Sequence, residues 1–240
     1  MNNLPTANDQ GSIGRLLRGE LATLLDWVEH GTARLFWRQV GVIVLGAGLY
    51  GAAMGWWRDP QQALFVAAKF PLIILLTVLG NALLNAMLAP LLGLNIPFRQ
   101  SASAILLSFT VASAILGAFS PLIAFLVWNA PPMSPEALSS PAYSIIKLTH
   151  VVVIAFAGLI GNVRLFQLLA RLGGSRAVAF RVLSAWLAGN LFLGSQLSWI
   201  LRPFIGSPGL PVEFFRTTAL HGNFYENVFR SLQQLLQQLD

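Results

Sequence analysis

Residues 64–92 read LFVAAKFPLIILLTVLGNALLNAMLAPLL, a run of 29 positions in which Lys69 is the single charged side chain. A helix needs roughly 20 mostly apolar residues to cross the hydrocarbon core of a bilayer, so this run predicts a transmembrane helix. Four further apolar runs predict spans at residues 40–57, 103–128, 145–169 and 182–205. We therefore predict an all-α fold, a polytopic membrane helix bundle with five transmembrane helices and amphipathic terminal segments.

The overall composition agrees with a membrane protein. Hydrophobic residues make up 55% of the 240 positions and charged residues only 10%, whereas a soluble domain carries roughly a quarter charged residues. The net charge of +6 comes from basic residues that are scattered or flank apolar runs, without the basic stripe of a nucleic-acid-binding surface. The expected partners are the lipid bilayer and other membrane subunits or further copies of the chain, and no nucleic acid.

Several kinds of chemistry are excluded or lack their sequence signatures. Cysteine is absent, which excludes disulfides, thiolate metal sites and cysteine nucleophiles. The chain has no His-Glu-x-x-His, no Gly-x-Ser-x-Gly and no glycine-rich phosphate loop. We predict no enzyme activity, no catalytic or metal-binding residue and no cofactor. The polar first eleven residues also predict no cleavable signal peptide.

The chain divides into three parts, residues 1–39, 40–205 and 206–240. In the first part, leucines at helical spacing over residues 12–39 predict an amphipathic helix that lies on the membrane surface or packs on the rest of the protein or on a partner. The middle part is the five-helix transmembrane domain. The last part is an extramembrane tail with an amphipathic helix at about residues 225–239, on the surface or on a partner.

Small residues and prolines shape the spans. Gly51 and Gly55 are four residues apart in the first span, the spacing that lets helix backbones approach closely. Pro121 is predicted to break the third span near its end, and four prolines predict an exposed loop at residues 129–144.

The basic residues predict the orientation. Five spans place the two termini on opposite sides of the membrane. Arg171, Arg176 and Arg181 lie between the fourth and fifth spans, whereas the proline-rich loop has no basic residue. Because cytoplasmic loops carry an excess of Lys and Arg, we expect a cytoplasmic amino terminus and an outside carboxyl terminus.

Polar side chains within the spans are candidates for function, since they are costly in lipid unless they are paired or face water. Thr77, Asn81 and Asn85 follow one another at one-turn spacing and share a stripe, which indicates either a polar lining or hydrogen bonds between helices. All nine acidic residues fall outside the spans, which argues against a cation-coupled or proton-coupled transporter. The candidate intramembrane polar cluster is Thr77, Asn81, Asn85, His150, Asn162, Asn190 and Gln196.

A second candidate site lies at the end of the fifth span. Trp199 and Arg202 are three residues apart there, and the tail beyond supplies carboxylates and aromatic rings that could satisfy a guanidinium. The pattern indicates an interfacial anchor or a docking corner where the tail folds back, and in the second case Arg202→Ala should loosen the tail. The candidate docking corner is Trp199, Arg202, Glu213, Tyr225 and Glu226.

Leu49-Tyr50-Gly51 in the first span echoes the Asp-Leu-Tyr-Gly-Pro motif of the Ypt-interacting-protein family, and the five-span plan over about residues 41–205 resembles that family. The family has the motif before its spans, so its role in membrane trafficking through small GTPases is not carried over. The string Ser-Trp-Ile-Leu-Arg-Pro-Phe at residues 198–204, with Phe214-Phe215-Arg216 and Asn223-Phe224-Tyr225-Glu226, is similar to uncharacterised bacterial membrane proteins related to it. The resemblance implies the bacterial cytoplasmic, or inner, membrane.

Small-residue packing and two amphipathic terminal segments, with no chemical site between them, favour a non-catalytic membrane scaffold or assembly subunit. The alternative is a small channel or transporter. Polar side chains that line one hydrated path would favour transport, and side chains that bond to each other in a dry bundle would disfavour it.

Overall fold

A computed structural model describes residues 21–135, 141–206 and 208–237. Helices account for 79% of the structure, and the described residues contain no strand, so the predicted all-α class is confirmed. The seven helices of this part of the chain are α1 (Leu21–His30), α2 (Ala33–Trp56), α3 (Pro60–Leu91), α4 (Phe98–Trp128), α5 (Pro141–Leu172), α6 (Arg176–Leu201) and α7 (Phe224–Gln237). Helices α2 to α6 are long and apolar enough to cross a membrane, and the chain is a multi-pass membrane protein.

The amino-terminal amphipathic segment is divided into two helices. The chain turns at Gly31 and Thr32, and the Thr32 hydroxyl accepts a hydrogen bond from the Leu35 amide at 3.3 Å, which caps the start of α2. Helix α1 buries Leu24 and Val28 in the core shared with α4 and α5. In its described part, the segment therefore packs on the bundle, and residues 12–20 lie outside the described residues.

Hydrogen bonds between the segments that join the helices show which helix ends lie together. The Arg99 guanidinium donates to the Gly31 carbonyl, which brings the start of α4 beside the turn before α2; we call this end of the bundle the first face. At the other end, the second face, the Trp57 indole donates to the Pro131 carbonyl at 3.0 Å. Arg58 reaches the tail there, at the Pro208 carbonyl. The segment that precedes α2 and the tail that follows α6 thus lie at opposite ends of the bundle.

Glycines bring α2 close to its two main neighbours, α3 and α4. A Cβ atom added at Gly51 would lie 2.6 Å from the Val66 carbonyl oxygen, and one added at Gly55 would lie 2.7 Å from that of Gln62. Both distances are too short for a side chain, so the prediction that Gly51 and Gly55 allow close approach is confirmed. On the other side of α2, a Cβ at Gly46 would lie 2.1 Å from the Ser113 carbonyl oxygen.

Several predicted boundaries were wrong. Pro121 does not break the third span, because α4 continues through it to Trp128; neighbouring helices and local adjustments can satisfy the backbone group that a membrane proline leaves free. The loop at residues 129–144 is shorter than predicted, since α5 begins at Pro141, where the missing N–H costs nothing. The fifth span, predicted at residues 182–205, is shifted toward the amino terminus in α6.

Candidate functional site

The predicted intramembrane polar cluster is spread over several places. On the interface of α3 with α6, the Asn81 amide donates to the Asn190 side chain and to the Thr77 carbonyl, the latter at 3.1 Å. Asn85 is buried one turn further along α3. The hydroxyl of Thr77 and the amide nitrogen of Asn85 have no hydrogen-bond partner among the described residues. The stripe on α3 therefore serves, at Asn81, as a hydrogen bond between helices.

The other three members lie elsewhere. His150 on α5 is buried and its Nδ1 pairs with the Tyr50 hydroxyl of α2 at 2.9 Å. Asn162 donates at 2.8 Å to the carbonyl of Gly158 in its own helix. The Gln196 side chain accepts a hydrogen bond from the Phe224 amide of the tail at 3.2 Å. The seven side chains do not form one row along the bundle.

The strongest concentration of polar contacts lies on the second face, where the tail covers α3. We call residues 202–206 and 208–216 the tail cap. The Gln62 amide donates to the carbonyls of Pro203 and Phe204 at 2.9 and 3.0 Å. The Lys69 ammonium donates to the carbonyls of Pro203 and Glu213 at 3.4 and 3.3 Å. Two side chains of α3 thus satisfy backbone oxygens of a segment that has no secondary structure of its own.

Lys69 is 0% exposed, although it lies within a membrane span. Its ammonium lies 6.0 Å from the centroid of the Phe65 ring and 5.2 Å from that of Phe214, within the range of cation–π attraction. The two rings also contact each other edge to face. Carbonyl dipoles and ring faces therefore stabilise the buried charge, as water or lipid headgroups would stabilise an exposed lysine.

Further contacts fix both edges of the tail cap. The Arg58 guanidinium donates to the carbonyls of Pro208 and Leu210 at 3.2 and 3.1 Å. Deeper in the bundle, the Phe204 ring packs edge to face on Phe70, which stacks on Tyr50. The tail cap therefore fills the space at the second face beside the first turns of α3.

Arg202, in the predicted docking corner, contacts its own helix. The guanidinium lies 3.5 Å from the centroid of the Trp199 ring and donates to the Trp199 carbonyl at 2.7 Å. Burial and the neighbouring Arg216 charge lower the pKa of Arg202. The carbonyl of Glu213 accepts from Lys69. The Arg202 contacts therefore anchor the end of α6, as in the interfacial-anchor interpretation.

The rest of the predicted corner lies at the start of α7. The Tyr225 hydroxyl donates to the carbonyls of Leu191 and Phe192, both at 3.2 Å, and the Tyr225 ring stacks on that of Phe192. The Glu226 amide donates to the Asn223 side chain at 2.8 Å. The tail does fold back over the bundle, and Tyr225 contacts α6 below the corner.

Three residues of this region were not among the predicted site residues: Gln62, Lys69 and Tyr50. Lys69 could have been found, because a lone charge in a 29-residue apolar run must have a partner or reach water. Gln62 carries no such signal, since it lies just before an apolar run, where polar residues are ordinary. Tyr50 lies within the first span, and a single aromatic residue there does not reveal its hydrogen-bond partner.

Comparison of the chain with family models, with curated proteins and with solved structures gives no match. The resemblance to the Ypt-interacting-protein family stays a prediction. Among the described residues, no group of three or more His, Asp or Glu side chains could hold a metal ion.

Proposed function

We propose that the chain is a non-catalytic membrane scaffold, or assembly subunit, that associates through its transmembrane helices with other membrane subunits or with further copies of itself. The observation that carries the proposal is Gly158 on α5. A Cβ at this position would meet nothing within 4 Å, so packing inside the chain does not require a glycine here. A glycine within a helix is destabilising by roughly 0.5–1 kcal/mol relative to alanine.

Asn162 stands one turn after Gly158 and donates to the Gly158 carbonyl. Ala155 lies one turn before and is exposed. Gly158 and Asn162 are half-buried and border the side of α5 that carries its buried residues, among them His150, Val153 and Gly161. A small residue and an amide at the edge of the packed side of a span match the way transmembrane helices associate, by close backbone approach and polar contacts.

The inner glycines support this interpretation by contrast. At Gly161, a Cβ would lie 2.8 Å from the Ser108 carbonyl oxygen, so contact with α4 requires that glycine. The corresponding contact for Gly158 would come from another chain. The alternative, a small channel or transporter, has less support, because the polar side chains of the spans bond to different parts of the protein.

The proposed location is the bacterial cytoplasmic membrane, with the first face in the cytoplasm. Arg171 and Arg176 flank the connection between α5 and α6 at that face, and an excess of basic residues is typical of cytoplasmic loops. Labelling of single cysteines introduced in intact cells, at residue 174 and in the tail, tests this orientation. A tail that is labelled only after the membrane is opened would contradict it.

The test of assembly is native mass measurement after gentle detergent extraction. The wild-type protein should carry a partner or further copies, and Gly158→Leu should remove them. Ala118→Leu is the matched control, since Ala118 is an exposed small residue of α4 on another helix, and it should leave the assembly intact. Both variants should unfold like the wild type. A wild-type particle that is strictly monomeric, with no copurifying partner, would refute the proposal.

A further inference from the structure

Three cationic side chains come together where α6 ends. Helix α6 is a span that finishes at Leu201, so Arg202 stands at the level where lipid headgroups begin. Lys69 lies at the same level, because its ammonium donates to the carbonyl of Pro203. Arg216 belongs to the same segment, because it follows by three residues Glu213, whose carbonyl accepts from the Lys69 ammonium, and its positive charge acts on Arg202.

The positive charge of this cluster is not compensated by an ion pair among the described residues. Glu213 of the same segment meets Lys69 only through its backbone carbonyl. Like charges held together at the end of a span disfavour each other. An arrangement of this kind is stabilised when an anion binds.

A fourth group points the same way. The indole nitrogen of Trp199, whose ring supports the Arg202 guanidinium, is buried and donates to no acceptor among the described residues. A buried N–H without a partner is destabilising. The corner therefore combines two guanidinium groups, an unused N–H donor and a buried ammonium behind them.

We propose that Arg202, Arg216 and Trp199 form a binding site for the phosphate group of an anionic phospholipid. Guanidinium groups match phosphate oxygens with paired hydrogen bonds. The fully buried Lys69 contributes its positive potential and does not touch the ligand. Free phosphate offers the same chemistry, but a lipid is favoured by position: the site lies at the headgroup level, and Leu191, exposed on α6 below it, offers an apolar surface to acyl chains.

The test uses the purified full-length protein in detergent, freed of bound lipid. Phosphatidylglycerol and phosphatidylcholine with the same acyl chains are titrated separately, and bound lipid is counted by native mass spectrometry. The wild type should bind one phosphatidylglycerol at least tenfold more tightly than phosphatidylcholine. Because a hydrogen bond to a charged group contributes about 1.5–3 kcal/mol, Arg216→Gln should weaken phosphatidylglycerol binding by a factor on the order of ten to a hundred.

Arg176→Gln is the matched control. Arg176 is exposed on the first face, so this variant loses the same charge far from the site and should bind like the wild type. Trp199→Phe keeps an aromatic ring beneath Arg202 and removes the N–H together with the five-membered ring of the indole, so it should weaken binding severalfold. Arg216→Lys keeps the charge but not the planar fork and should fall between the wild type and Arg216→Gln.

Three results would overturn the proposal. If Arg176→Gln and Arg216→Gln weakened phosphatidylglycerol binding equally, the effect would come from the overall charge of the protein. Inorganic phosphate that displaces phosphatidylglycerol at equal concentration would make the ligand a free phosphate. Unchanged binding in all variants at the corner would place the lipid elsewhere. None of these results depends on whether the protein assembles with partners, so the site can fail while the scaffold proposal stands, and the reverse.

Discussion

Replacing Gly46 with alanine should force α2 and α4 apart. The new Cβ would lie 2.1 Å from the carbonyl oxygen of Ser113 and 2.8 Å from its carbonyl carbon. Ordinary contact begins near 3.4 Å, so the added atom is too close by about 1.3 Å. The opposing atoms belong to the backbone of a helix and cannot rotate away, and Gly117 of α4 in turn approaches the Cα of Gly46.

The size of the effect follows from two opposing contributions. Forcing a methyl group into a tightly packed site costs typically about 1–3 kcal/mol. Alanine in place of a helical glycine stabilises by roughly 0.5–1 kcal/mol. We expect Gly46→Ala to lower the free energy of unfolding by about 1–2 kcal/mol, and Gly46→Val to lower it further, since its larger side chain requires a greater separation of the helices.

The measurement is reversible unfolding in mixed micelles, followed by helical circular dichroism as denaturing detergent is added. Gly41→Ala in the same helix is the control, because a Cβ at Gly41 meets nothing within 4 Å; it should leave stability unchanged or raise it by up to about 1 kcal/mol. If Gly46→Ala and Gly41→Ala shift the transition alike, the inference that contact at Gly46 holds α2 against α4 is wrong.

Two further predictions concern the tail cap and the buried pair beneath it. Lys69→Met removes the donor to two tail carbonyls and should speed chymotrypsin cleavage of the tail. Arg202→Ala should change cleavage little, because the contacts of Arg202 lie within α6, and this differs from the expectation from the sequence. Equal effects of the two variants would contradict the assignment of Lys69 as the residue that holds the tail. Tyr50→Phe leaves His150 without its hydroxyl partner and should cost about 1–2 kcal/mol of unfolding free energy. The double variant with His150→Leu should recover part of that cost, and strictly additive losses would refute the coupling.

The spans could be predicted from the sequence because one property, the length of a continuous apolar run, decides them. A run such as residues 64–92 is apolar over more than the bilayer thickness, whatever it packs against. The ends of the transmembrane helices were harder to predict, since a helix continues beyond the apolar run when its flanking side chains are stable among lipid headgroups. Helix α6 begins at Arg176, before the predicted start at Val182, because arginine is stable at that boundary.

The candidate site could be predicted only in part. One of the two interpretations of the sequence had the tail fold back at the end of the fifth span, and the tail does contact the bundle there. Arg202 was predicted to be the residue that the tail contacts, because carboxylates and aromatic rings follow it in the chain. The observed donors, Gln62 and Lys69, are separated from the tail carbonyls by more than 130 residues: 141 from Gln62 to Pro203 and 134 from Lys69 to Pro203. Spacing along a helix cannot reveal contacts at that separation, and only the packing of α6 on α3 brings them together.

The stagger between α3 and α6 explains why the tail folds back. The two helices are antiparallel and joined by the hydrogen bond between Asn81 and Asn190; α3 has 21 residues before Asn81 and α6 only 11 after Asn190, a difference of about 15 Å at 1.5 Å per residue. The first turns of α3 therefore lack α6 as a neighbour, and without the tail cap Gln62 and Lys69 would lose their acceptors on that side. Backbone carbonyls of a segment without regular structure are suitable partners, because they would themselves be unsatisfied in an apolar environment. The two side chains of α3 thus gain acceptors, and the tail carbonyls gain donors. Because α6 ends early, Arg202 also lies at the headgroup level, beside the tail cap.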